Sequence, residues 1–398
     1  MSNQSNRTKK AYGEATASCN SRDYIPTAAE PQLRSDRRPM SLRRLNRSPI
    51  MPMMSTHLPS LFRLSATVVA AGLTACSPPQ PRLLNAEGFA QGTTYSLQWL
   101  SGGEATVDAV TDAADAELER IDELLSTYRS DSVLERFNAT TSTEPQMLPA
   151  ELVSLLEVAR GIHAASDRCF DPTVRPLVRA WRFDTDTPAV PTAENLASAR
   201  ARVGFEKLVI VDGSHVAKTK PDVEIDMSSI GQGYSAERLA DVLEGLGATS
   251  YLAEIGGEMV ARGTKADGSP WRIGVENPDP DGEPGPALRV PGHKRMAIVT
   301  SGTYRHFFDA TGHRFSHILD ARTGQPVAHN LRAVTVVGDS GSVAAGWGTA
   351  LLCLGPTAAP ITAARENLAA LWWTEAEDGA MTLQHSKAFE TDWPGVLE

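Results

Sequence analysis

Between Val107 and Leu125 the apolar positions Val110, Ala114, Leu118, Ile121 and Leu125 recur at steps of three and four, with charges between them. That spacing predicts an amphipathic helix. A second helix is predicted over Ala150–Ala165, with Leu152, Leu155, Leu156, Ala159 and Ile162 inward, and a third over Glu194–Val203. Phe89–Leu100 alternates enough for a strand, and Tyr251–Ile255 and Glu258–Arg262 read as strands around the pair Gly256-Gly257. The centre reads strand, turn, helix: Val223–Ile230 extended, Gly231-Gln232-Gly233-Tyr234 turning, Ser235–Leu246 helical. Further on, Met296–Val299 is an apolar run, Ala333–Val337 a strand and Gly341–Leu354 a helix. Glu366–Trp373 with Met381–Leu383 reads as a closing helix and strand. Strands and helices mixed with hairpins predict an α+β fold.

Charge is unevenly placed. Residues 1–75 hold 11 of the 38 Lys and Arg but only the acids Glu14, Asp23, Glu30 and Asp36. The rest carries 27 basic against 44 acidic residues, a net −17. An acidic body without an aromatic-interleaved basic patch argues against nucleic-acid binding. The cysteines are Cys19, Cys76, Cys169 and Cys353, with no metal-type spacing. Cys169 and Cys353 sit among apolar neighbours, which favours buried free thiols and leaves a disulfide open.

The N-terminus reads as an address. Residues 1–50 are polar and basic, a disordered stretch or an over-extended gene start with Met40, Met51, Met53 and Met54 as later starts. Residues 51–75 form a signal segment whose apolar run is short for a membrane span. Leu73-Thr74-Ala75-Cys76 resembles the bacterial lipoprotein box, with Cys76 lipidated as the mature first residue. An uncleaved signal anchor is the alternative. Residues 76–83 then form a Pro-rich linker, and residues 84–398 form one domain. This places the protein on the periplasmic side of a bacterial membrane, held to the inner membrane by lipid.

The chemistry concentrates in Thr300–Val327. Ser301-Gly302-Thr303-Tyr304 reads as a turn, Thr311-Gly312 as a hairpin tip, and Thr323-Gly324-Gln325-Pro326 as a third turn. Hydroxyls, His317, Asp320 and Arg322 crowd around these glycines. Such loops let backbone N–H groups approach a phosphate. A solvated hairpin with a polar tip is the plain alternative, as are structural turns at Gly231-Gln232-Gly233, where neither the phosphate-loop nor the dinucleotide pattern is present.

The stretch resembles the segment SGxYxxxF…SHIxDPxTGxP of the FAD:protein FMN transferases (ApbE-type flavin transferases). Further ordered blocks share the likeness: GFAQGTTYSL, LLSTYRSDSVLERFN, FDPTVRPLVRAW, EIDMSSIGQGYSAERLADVL, YLAEIGGEMVARG, WRIGVENP and SVAAGWGTALLCLG. The resemblance implies a single domain with mixed and antiparallel sheets flanked by helices. It implies that FAD is cut, that FMN passes through a phosphoester to a Ser or Thr of an acceptor protein such as a membrane redox subunit, and that AMP leaves with Mg2+ assisting. It implies His317 as the group that handles the acceptor proton. Tyr128, Ser132, Asp171, Thr173, Gly231, Gly233, Glu237, Gly256, Gly257, Ser301, Thr303, Tyr304, Arg322 and Thr323 fall at substrate-site positions, and Thr349 at a metal position.

Departures from the family pattern carry their own implication. The family has Asp four residues before Thr349; this chain has Ala345, with Asp339 in the preceding loop as a candidate substitute. Gln232 stands where Lys is usual, Glu237 for Asp, Gln91 for Met and Ala321 for Pro. They point to an alternative, a catalytically weakened flavin-binding lipoprotein assisting a membrane redox complex. An unrelated exported interaction module is a third reading.

Overall fold

The computed structural model describes residues 81–398; the signal segment and Cys76 lie outside them. The described residues open with a hairpin of β1 (Leu83–Ala90) and β2 (Thr93–Leu100), followed by α1 (Val107–Leu125), α2 (Val133–Ala139), β3 (Gln146–Met147) and α3 (Ala150–Ala165). Next come α4 (Arg175–Trp181), α5 (Ala193–Arg200), β4 (Leu208–Asp212), β5 (His215–Lys218) and α6 (Ser228–Gly245). The second half holds β6 (Tyr251–Ile255), β7 (Glu258–Arg262), β8 (Arg272–Gly274), β9 (Ala287–Arg289) and β10 (Met296–Gly302). Two small hairpins follow, β11 (Phe307–Ala310) with β12 (His313–Ser316), and β13 (Leu319–Asp320) with β14 (Gln325–Pro326). The chain closes with β15 (Leu331–Gly338), α7 (Gly341–Arg365), β16 (Ala369–Glu375), β17 (Met381–His385) and α8 (Lys387–Asp392).

Eight strands form the central sheet in the order β1-β2-β6-β7-β10-β15-β16-β17, each neighbouring pair antiparallel. One face is covered by helices. Val110, Ala114 and Leu118 of α1 and Leu239, Ala240 and Leu243 of α6 pack on Tyr95, Leu97, Ala253 and Val260. α7 covers Val299, Val334 and Val336 of the same face, with α3 behind it. The other face is closed by Trp271, Ile273, Leu288, Phe389 and Trp393. Burial of these apolar faces is the main force holding the layers together. Among the described residues no helix is long and apolar enough to cross a membrane.

The α+β expectation holds, as do α1 and α3 with the inward residues named. Four local readings are corrected. Phe89–Leu100 is not one strand, because Gln91 and Gly92 take positive φ and reverse the chain between β1 and β2. Val223–Ile230 is not a strand: α6 starts at Ser228, so Gly231 and Gly233 lie inside a helix. α5 ends at Arg200, short of Val203. The helix expected over Gly341–Leu354 forms as read, and beyond the kink at Gly355, φ +79°, a second helix continues it. Glu366–Trp373 becomes the inner strand β16, since Ala370 and Leu371 are buried on opposite faces and pair with β15; tertiary pairing overrides the helix propensity of Ala and Leu.

Two features position the site. The ladder from β10 to β7 stops at Ile298↔Met259, whereas the ladder to β15 runs on to Gly302↔Ala333. Val299–Gly302 are therefore paired on one side only, beside the β6–β7 turn. In addition, α6 and α7 cross very closely: a Cβ on Gly233 would lie 2.2 Å from the Gly341 carbonyl oxygen and 2.6 Å from Ala345 Cβ.

Candidate functional site

Ser301 is still in β10, not in a turn, and its Oγ lies 3.4 Å from Thr349 Oγ1 on α7. Gly348 permits this approach, because a Cβ there would stand 2.9 Å from Ser301 Oγ. The β6–β7 turn closes on the same region, with the Gln232 side chain of α6 against Gly256. Gly256 and Gly257 have φ of +61° and +98°, as a two-residue turn of that hand requires. Their amides are engaged within the turn region, Gly256 N donating to Thr94 O at 3.1 Å and Gly257 N to Glu254 Oε1 at 2.7 Å.

His317 follows β12. Its backbone N and its Nδ1 both lie 3.0 Å from the His306 carbonyl oxygen. A carbonyl only accepts, so Nδ1 carries the hydrogen and Nε2 keeps its lone pair. Burial pushes this imidazole down to about 4, so it is neutral at ordinary pH. The His306 ring stands edge-on, 5.3 Å away between centroids.

The third turn is built from both sides. Asp320 Oδ1 accepts from Arg322 N and Nε, each at 2.9 Å, and the Asp320 carbonyl accepts from Gly324 N at 2.7 Å. Trp181 Nε1 donates to Gly324 O at 2.8 Å and Arg200 Nη2 to Arg322 O at 2.7 Å. Gly324 has φ +75° and sits 2.7 Å, at a would-be Cβ, from Arg200 Cγ. The Arg322 guanidinium is held by Asp320 and also reaches Asp167 at 3.3 Å, while Thr323 Oγ1 donates to Asp320 O at 3.4 Å.

A second loop neighbours this turn. Asp171 is buried and accepts from Thr173 N at 2.8 Å, Thr173 Oγ1 at 2.6 Å and Phe205 N at 3.0 Å. Burial raises its carboxyl, and Nδ1 of His163 lies 3.3 Å away. Arg175 donates to Thr127 O at 2.9 Å, tying the loop to the segment of Tyr128, which is 86% exposed.

Several expected substrate contacts are thus occupied by the protein itself. Ser132 caps α2 by accepting from Glu135 N at 3.0 Å. Glu237 reaches from α6 to the start of α7, accepting from Ser340 Oγ at 2.9 Å and Ser342 N at 3.2 Å, where a carboxylate also suits the helix dipole. Gly231 and Gly233 are helix residues, and Gly233 lets α6 and α7 pack closely. Thr303 is buried, its Oγ1 donating to Arg332 O at 3.3 Å. Tyr304 donates to Glu276 Oε2 at 2.8 Å, and burial pushes its phenol up to about 12.

The donors around Thr349 do not compose a Mg2+ site, which wants at least one carboxylate. Ala345, one turn earlier, is buried and apolar. Asp339 pairs with Lys294 at 3.5 Å; it precedes α7, and eight residues of helix from Gly341 to Thr349 rise about 12 Å. It is therefore no substitute. The one group of three candidate ligand side chains among the described residues, Cys169, Asp320 and Cys353, is already spent, because the two sulfurs are joined. The expectation of free thiols is corrected accordingly.

Two features escaped sequence reasoning. The disulfide had a weak signal, two cysteines left over in a chain read as exported. Glu258 had none: one carboxyl oxygen is buried without a partner, and burial with Glu254 nearby pushes the group up to about 8.

The ApbE family matches residues 91–372. The FAD:protein FMN transferase of Klebsiella pneumoniae (strain 342) is 34% identical over 328 residues, 80% of this chain and 93% of that one. The Escherichia coli (strain K12) protein of the same name is 33% identical over 337 residues, 81% and 95% of the two chains. Among solved structures, the flavin transferase ApbE from Vibrio cholerae superposes with a TM-score of 0.72 at 33% identity, covering 78% of this chain and 99% of that one. The apo flavinyl transferase ApbE from Pseudomonas stutzeri gives 0.72 at 36% identity, covering 79% and 98%.

Proposed function

Because the chain belongs to the ApbE family, we infer that it is an FAD:protein FMN transferase. The hydroxyl of a Ser or Thr on an acceptor protein attacks the FMN-side phosphorus of FAD. A new P–O bond forms, the pyrophosphate P–O bond breaks, and AMP leaves. The hydroxyl proton passes to a base. The observation that carries this reading is His317, neutral, with Nδ1 anchored on the His306 carbonyl and Nε2 free to accept that proton. Phosphoryl transfer otherwise depends on positioning and charge. Ser301 and Thr349 supply adjacent hydroxyls, and the Asp320–Gly324 turn a rigid wall. Gly256, Gly257, Thr323 and Tyr128 are read as substrate neighbours. Arg322, Asp171, Thr173, Ser132, Glu237, Gly231, Gly233, Thr303 and Tyr304 are read as residues that hold the site in shape. We assign no protein-held metal to the site and route no step through one; Thr349, which the resemblance put at a metal position, supplies a hydroxyl beside Ser301.

The exported, lipid-anchored reading rests on Leu73-Thr74-Ala75-Cys76 and is supported by the disulfide, a bond of oxidising compartments. The acceptor is then a protein domain exposed on the same side of the membrane, such as a redox subunit. Mass spectrometry of the mature N-terminus tests the anchor; an unlipidated Cys76 refutes it.

The activity is tested with the full chain, FAD and an acceptor protein bearing a Ser/Thr site, following AMP and the mass of the acceptor. FMN-modified acceptor with equimolar AMP is expected. Tight FAD binding without AMP favours the second reading, a weakened flavin-binding lipoprotein, for which Ala345 and Gln232 speak.

A further inference from the structure

Cys169 and Cys353 are 184 residues apart in sequence and bonded in the core, 1% and 3% exposed. The bond joins two parts of the site. Cys353 lies four residues after Thr349, on the same helix face, about 6 Å along α7. Cys169 opens the loop of Asp171 and Thr173, and its carbonyl accepts from Ala321 N at 3.2 Å. Cys353 Sγ faces Leu319 O at 3.8 Å. Arg322 Nη2 lies 3.3 Å from Cys169 Sγ and also holds Asp320 at 2.8 Å. The bonded cysteines therefore contact the residues on either side of Asp320, at the start of the turn, as well as joining it to the helix. A cation in place of the bond is disfavoured by the same guanidinium, which occupies Asp320 and abuts Cys169.

The α7 segment beside the site is made of small residues, Ala344-Ala345-Gly346 and Gly348. They let it pack closely on α6, α3 and β10, with Trp347 buried among them, so a displacement of Cys353 passes along the helix to Thr349 instead of being taken up by loose side chains. We propose that the Cys169–Cys353 disulfide is a positioning clamp for FMN transfer, setting Thr349 and the Asp320–Gly324 turn in the one arrangement the reaction needs. This rests on the transferase reading of the site. Opening the bond takes two electrons and two protons, which dithiothreitol supplies as it closes to its own cyclic disulfide. The two thiols so formed repel to van der Waals contact, about 3.5–4 Å. Loop and helix then part, and their contacts carry the shift to Ala321 and Thr349. A misplacement of about 1 Å at a reacting centre costs up to about 100-fold in rate. FAD affinity is spread over the whole site and changes little.

The test uses the purified full chain, oxidised and dithiothreitol-reduced, with the thiol state read by alkylation and mass spectrometry. A Cys169→Ala/Cys353→Ala double variant covers the case in which the buried bond resists reduction. We expect kcat to fall about 10- to 100-fold with the FAD dissociation constant, read by flavin fluorescence, within about threefold. Reoxidation restores kcat. Unchanged kcat in both the reduced protein and the double variant overturns the clamp, as does a loss of kcat and FAD affinity in equal measure, the mark of a merely structural bond. An oxidised protein that releases no AMP at all overturns the transferase reading, and the clamp with it, before any reductant is added.

Discussion

His317 gives the sharpest prediction. An ordinary histidine titrates near 6.5, so at pH 5.5 only about a tenth of it is neutral. With burial holding His317 near 4, about 97% is neutral at pH 5.5. If its Nε2 takes the acceptor proton, kcat/KM stays nearly flat from pH 7.5 to 5.5 and halves only near pH 4. His317→Gln keeps a polar side chain without the base and is expected to lower kcat by about 10²- to 10⁴-fold. The assay is AMP release at saturating acceptor over pH 4–8, with FAD affinity measured at each pH. The same shift bears on stability. The folded value lies below the unfolded one, so the neutral ring's contribution is fully present above about 6.5 and is lost as pH falls toward 4. A shift of this size is worth up to about 3 kcal/mol, nearer about 2 after allowing for the ring's partial exposure. An acid limb centred near 6.5 refutes the reasoning, and so does a His317→Gln protein with near-native kcat.

Three further outcomes are expected. Gly233→Ala drives a Cβ to 2.2 Å from the Gly341 carbonyl oxygen; the helices must part, at about 1–3 kcal/mol, and a thermal scan should show a lower Tm, an unchanged one refuting the close crossing. Ala345→Asp restores a carboxylate one turn before Thr349 and should raise Mg2+ affinity at least about tenfold by calorimetric titration; no change refutes the missing-ligand argument. Gly324→Ala places a methyl group 2.7 Å from Arg200 Cγ at φ +75° and should lower kcat at least about tenfold by shifting the turn, whereas native kinetics would show that the turn has no part in transfer.

The sequence by itself determined the elements whose signal is local. The three-four spacing of Val110, Ala114, Leu118 and Ile121 and the positive-φ glycines at Gly256-Gly257 and Gly312 require nothing beyond their own segments, and α1, the β6–β7 turn and the β11–β12 hairpin formed where expected. The order of motifs likewise carried the family and the activity. Tertiary structure decided what depends on the partner across space. Gly231-Gln232-Gly233 reads as a turn in isolation, but it is helix, crossed by α7 at Gly233 and with Gln232 reaching Gly256. Glu366–Trp373 reads as a helix until β15 offers a ladder. Glu237 and Arg322 read as ligand contacts, because a charged side chain near a glycine turn looks the same whether its partner is a phosphate or a helix end. Only the fold brings Ser340 to Glu237, Asp167 to Arg322 and Cys353 to Cys169. Periodicity encodes which face of a segment is buried; it does not encode which distant segment buries it.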